Sequence, residues 1–131
     1  MKNKSTIKLP LTDIEKANLK KNKIKLPFGL YITNSVQEEV GLYGAEMIAD
    51  TIKPNIAIVT DVTHDTSTPM INMKKEGELK CGNGPVIYFA PTVHHKVREL
   101  ILETAKDKKI PYQRAASSRT TGTDTDAFAH A

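Results

Sequence analysis

Pro27-Phe28-Gly29-Leu30-Tyr31-Ile32-Thr33 is an apolar and aromatic run of strand length, closed by polar Asn34 and Ser35, and it reads as a buried strand. Downstream, Gly41 to Lys53 sets Leu42, Ala45, Ile48, Ala49 and Ile52 at three- and four-residue spacing before Pro54. That is the pattern of an amphipathic helix stopped by proline. Asn55 to Val62 then carries Ile56, Ala57, Ile58 and Val59 in one block, as a strand covered on both faces would. Strand, helix and strand at these lengths predict a βαβ unit with parallel strands.

Working outward from this unit, Val86 to Ala90 reads as a further strand. A long helix follows from Thr92 to about Lys108, with Val93, Val97, Leu100, Ile101 and Ala105 on one face. Pro111 to Ala116 adds a last strand. Thr63 to Pro85 reads as loops with at most one short edge strand. The Thr-, Ser-, Gly- and Asp-rich tail, Ser117 to His130, reads as a site loop. Toward the start, Leu11, Ile14 and Leu19 form an incomplete stripe over Thr12 to Lys20, a short helix that Pro10 and Asp13 would open. The expected class is α/β, a partly parallel sheet flanked by helices, in one domain spanning residues 1–131.

Composition limits the alternatives. Hydrophobic residues make up 39% and charged residues 26% of the 131, a globular balance rather than that of a disordered chain. No apolar stretch reaches the length of a membrane span, and the Lys-rich start from Met1 to Lys8 lacks a secretory apolar segment. The expectation is a cytoplasmic protein with no membrane partner. The single Cys81 builds no internal disulfide and reads as a packed or bystander thiol. A net charge of +4 raises the question of nucleic acid. Yet Lys16, Lys20, Lys21, Lys23 and Lys25 crowd one short stretch without arginine or interleaved aromatics. That describes a solvated helix end rather than a base-stacking platform, and no nucleic-acid partner is expected.

The chemistry gathers on three carboxylates. Glu38 and Glu39 are adjacent and directly follow the first expected strand. Neighbouring side chains on a regular strand point to opposite faces, so joint action needs an irregular turn, which Val36 to Gly44 can supply. Asp61 ends the second expected strand, and the carboxyl ends of parallel strands share the edge where ligands bind. Three crowded carboxylates repel one another, and a divalent cation is the usual remedy. The plainer alternative is that the glutamates favour the N-terminus of the following helix.

Three motifs in order carry a resemblance. The segment Lys25 to Ala45, with Ser35-Val36-Gln37-Glu38-Glu39-Val40-Gly41 at its centre, resembles the di-glutamate segment of the glutamyl aminopeptidase, tetrahedral (TET) aminopeptidase and endoglucanase M family of dinuclear metallopeptidases. Ala57 to Thr66 resembles the next metal-ligand segment of that family, and Gly122-Thr123-Asp124-Thr125-Asp126-Ala127-Phe128 its later active-site loop. The similarity runs from about residue 23 to 128 and implies a partial catalytic domain of the zinc-aminopeptidase type. It implies a peptide substrate shortened from its N-terminus with two divalent ions, zinc or cobalt. By the same resemblance Glu38 is the general base, and Glu39 and Asp61 are carboxylate ligands, one to each metal. Thr123, Asp124 and Asp126 lie in a loop beside the site, shaping substrate binding or supporting the ligands, or else bonding only within a tight loop.

The departures from the family pattern are equally specific. An early histidine ligand, a bridging aspartate and a late histidine ligand have no counterpart, nor has the smaller inserted domain used in assembly. His64, His94, His95 and His130 match no ligand position, and His94 and His95 open a helix facing solvent. The expectation is therefore an incomplete metal site of doubtful occupancy and little activity in the isolated chain, with homo-oligomerisation or self-association through uncovered faces. The alternative is a non-catalytic remnant that binds a peptide or a subunit.

Overall fold

The structure, a computed structural model, describes residues 26–131, so the helix expected over Thr12 to Lys20 lies outside the described residues. In order along the chain come α1 (Tyr43–Ile52), α2 (Met73–Glu76), β1 (Val86–Phe89), α3 (His95–Asp107), β2 (Gln113–Ala116) and α4 (Thr125–Ala129). The class is α/β, as expected.

The parallel pair is built from the later elements. β1 and β2 run side by side with Val86 opposite Gln113 and Phe89 opposite Ala116, and α3 connects them. Val86, Ile87, Tyr88 and Phe89 are β-branched or aromatic, the residues that fit a pleated surface. The Gln113 N–H donates to Pro85 O at 2.8 Å, and Ser117 N–H to Phe89 O at 2.8 Å, which continues the ladder past both ends. Gly84 has a φ of +90°, and a Cβ there would stand 2.1 Å from the Pro111 carbonyl oxygen. Only glycine allows the two strands to start that close together.

Two expected strands are corrected. Neither Pro27 to Thr33 nor Asn55 to Val62 joins a ladder among the described residues, and most of their apolar side chains are exposed, Phe28 at 63% and Ile58 at 69%. A strand exists by its hydrogen-bonded neighbour, and apolar sequence alone does not provide one. The βαβ unit accordingly lies at β1–α3–β2 and not around α1. Within α3 the buried face is Leu102 and Ala105, whereas Leu100, expected on that face, is exposed. His94 and His95 are exposed at the start of α3, as expected, with their rings stacked at 5.1 Å.

α1 packs against α4; α1 buries the small Gly44, Ala45 and Ala49, and α4 buries Asp126 and Ala127. Between α1 and β1 the chain is loop apart from the single turn of α2. It is cross-tied at Thr66, whose hydroxyl donates to Leu79 O at 3.1 Å and accepts from Leu79 N–H at 2.9 Å. Asp65 adds a second tie, accepting from the Ser67 N–H and hydroxyl and from Cys81 N–H. Cys81 is an exposed thiol and not a packed one. Among the described residues no helix is long and apolar enough to cross a membrane.

Candidate metallopeptidase site

The turn that carries Glu38 and Glu39 is irregular, as two adjacent carboxylates acting together require. The Glu38 carbonyl accepts from Gly41 N–H at 3.2 Å and from Leu42 N–H at 3.1 Å. Gln37 and Leu42 both take left-handed backbone conformations, with φ of 61° and 60°, and Gly41 lies at 133°. Left-handed non-glycine residues persist where their surroundings over-determine them. Here the Gly44 N–H donates to Val36 O at 3.0 Å and closes the turn onto the start of α1. A Cβ at Gly44 would meet Val36 N and O at 2.4 Å, so the approach is one that only glycine permits.

Two distant segments, those of Asp61 and Asp124, bring acidic groups toward this turn. Glu38 is partly buried, and its carboxyl titrates above the usual carboxylate range. Lost hydration is the first cause, followed by the negative charges of Glu39, Asp61 and Asp124. Glu39 and Asp61 are themselves exposed, and Asp61 Oδ1 accepts from the adjacent Val62 N–H at 2.7 Å. Asp124 Oδ2 accepts a hydrogen bond from the Ser35 hydroxyl, while Oδ1 is buried with no hydrogen-bond partner among the described residues.

The rest of the later loop is bonded within itself. Asp126 is buried, and burial alone would raise its carboxyl. The Thr121 and Gly122 N–H groups and the Thr121 hydroxyl outweigh that and hold it below its ordinary value. Thr123 Oγ1 meets Thr121 Oγ1 at 2.9 Å and donates to Thr125 Oγ1 at 3.1 Å. Thr123 and Asp126 thus shape the loop, and Asp124 is the member that reaches out of it.

Two residues escaped the sequence reading, Ser35 beside this site and Asp65 in the loop after Asp61. Ser35 carries no local signal, since its partner lies 89 residues away. Asp65 does carry one, because Asp-x-Ser is a common aspartate-turn pattern.

In kind, the donors suit a divalent cation, being carboxylate oxygens of which one is buried and unpartnered. Among the described residues no group of three or more His, Cys, Asp or Glu side chains is arranged to hold a metal ion.

Comparison with known proteins gives the family. The family model described as M42 glutamyl aminopeptidase matches residues 12–131. A lysyl aminopeptidase of Pyrococcus furiosus is 41% identical over 99 residues, which is 76% of this chain and 28% of that protein. A protein of Acetivibrio thermocellus, provisionally named an aminopeptidase, is 46% identical over 87 residues, 64% of this chain and 26% of its own length. The crystal structure of a TET aminopeptidase from the marine sediment archaeon Thaumarchaeota archaeon SCGC AB-539-E09 superposes with a TM-score of 0.70 at 30% identity, covering 85% of this chain and 31% of that one. The chain therefore spans between a quarter and a third of the length of these relatives. With the family model running through the di-glutamate turn, the Asp61 segment and the later loop alike, the chain belongs to the M42 glutamyl aminopeptidase family.

Proposed function

We propose that the chain contributes part of the site of a metal-dependent aminopeptidase, which hydrolyses the first peptide bond of a peptide substrate. One observation carries the reading: the Ser35 hydroxyl, three residues before Glu38, donates to Asp124 of the later loop, so two of the segments that resemble the family's site meet although they lie far apart in sequence. Glu38 is the general base, taking a proton from the attacking water and delivering it to the leaving amine. Glu39 and Asp61 would each hold one ion of a zinc or cobalt pair. When bound, such a pair supplies an acidified water and polarises the scissile carbonyl.

Two carboxylates make an incomplete shell for two ions, and the ligands that the family takes from histidines and a bridging aspartate have no match in this chain. The isolated chain accordingly has little or no turnover, since losing one electrostatic contribution of this type costs on the order of a hundredfold or more in rate. The whole assembly is read as cytoplasmic and homo-oligomeric, acting on peptides and not on nucleic acid. A second reading, a non-catalytic module that binds a peptide or a subunit, is supported by the exposed apolar segments around Phe28 and Ile58.

The test is an assay of amino-acid anilides, lysine included because the Pyrococcus relative is a lysyl enzyme, with excess zinc or cobalt and beside a Glu38→Ala variant. Weak metal binding with negligible turnover is expected. Metal-dependent turnover abolished in Glu38→Ala would show a complete site and overturn the partial one. A chain that binds no metal at all would favour the binding module.

A further inference from the structure

We infer that Asp124 is a positioning residue for the di-glutamate turn, acting through the Ser35 hydroxyl that donates to its carboxylate. The inference rests on the proposed function for its purpose, and on geometry for its substance. Asp124 occupies the N-cap position of α4 yet makes no side-chain bond to its own helix. An aspartate at that position ordinarily satisfies the first free N–H groups of the helix. Here the carboxylate is turned away from that task and toward a residue 89 positions earlier.

Both ends of this contact are braced. On one side Asp126 pins the loop by accepting from Thr121 N–H at 3.0 Å and Gly122 N–H at 2.9 Å, which fixes the backbone that presents Asp124. On the other side Ser35 immediately precedes Val36, whose carbonyl accepts from Gly44 N–H, and the Glu38 carbonyl closes the next turn on Gly41 and Leu42. α1 packs on α4, so the bond from Asp124 to Ser35 is a second fastening between the same two parts of the molecule. Between these two fastenings the acidic turn has its start and its finish held, and Glu38 and Glu39 project from a backbone whose left-handed residues would otherwise relax.

A hydrogen bond to a charged acceptor that is removed from one side costs enough to change local opening by about tenfold. Amide exchange is to be measured by NMR on the full 131-residue chain and on Ser35→Ala, Asp124→Ala, Asp124→Asn and the double alanine variant. Exchange at Gly41, Leu42 and Gly44 is expected to quicken by about tenfold in each alanine variant, and no further in the double variant, because one contact is removed twice. Asp124→Asn keeps an acceptor oxygen and should restore most of the protection. Leu102 and Ala105 in α3 should keep theirs throughout. Zinc titration adds a second readout: Ser35 bears no charge, so a several-fold weaker uptake in Ser35→Ala reports position alone. Unchanged exchange in the turn, or an equal rise in α3, would overturn the inference. If the parent chain takes up no zinc, the metal-site reading fails while the exchange result still decides the role of Asp124.

Discussion

At Glu38 the local environment works against ionisation. Burial and three neighbouring carboxylates raise its carboxyl, so the native chain keeps that proton to higher pH than the unfolded chain does. The sign follows: the native state loses stability as pH rises through the native titration. Replacing a neighbour by its amide, as in Asp61→Asn or Glu39→Gln, should lower the midpoint followed by carboxyl NMR. An unmoved midpoint in Asp61→Asn would separate the second segment from the site. Asp65 behaves oppositely. The Ser67 hydroxyl, then the Cys81 and Ser67 N–H groups, hold it at about 2 against an ordinary 3.8. A depressed carboxylate lends stability above its unfolded value and loses it as pH falls through the folded one. Asp65→Ala should therefore lower the urea midpoint at neutral pH and make a much smaller difference near pH 2. An equal effect at both would assign the change to lost packing instead.

At the scale of elements, α1 is held by close approach rather than by a large apolar face. Its buried residues are Gly44, Ala45 and Ala49, and small side chains let a neighbouring helix and a turn come near. Gly44→Ala would drive a methyl into the Val36 backbone at 2.4 Å, and backbone on both sides leaves little room to yield. We expect a loss of roughly 1–3 kcal/mol in urea unfolding. A loss of only a few tenths would mean that the turn shifts easily and that the approach is not tight. The crossover helix α3 shows a different economy: Leu102 is the large side chain buried most completely, and the Arg98 guanidinium lies 4.1 Å from the centre of the Phe89 ring, joining helix to strand.

Across the whole molecule, apolar side chains stay in solvent over long stretches. Leu30, Tyr31, Val40, Ile56, Ile58, Val62 and Met70 are all among the exposed large hydrophobics. Surface of this kind on a single chain favours association. Sedimentation should show mass rising with concentration, and a hydrophobic dye should gain fluorescence. A clean monomer at high concentration with no dye response would count against it. The chain covers between 26% and 31% of the length of its relatives.

The sequence by itself determined what depends on local pattern. The 3.6-residue spacing marked α1 and α3, Pro54 marked the stop of α1, and β-branched and aromatic residues marked β1. The three motifs identified the family. The need for an irregular turn at Glu38 and Glu39 also followed from side-chain alternation alone. Tertiary structure decided what depends on a distant partner. Pro27 to Thr33 and Asn55 to Val62 have strand-like composition and still form no ladder among the described residues, because a ladder requires a second chain segment at hydrogen-bonding distance. Leu102 rather than Leu100 faces inward because the neighbours of α3 select which part of its broad apolar stripe is covered. The bond from Ser35 to Asp124 joins residues 89 apart, and no periodicity or motif spacing encodes a meeting made only when α4 comes to rest on α1.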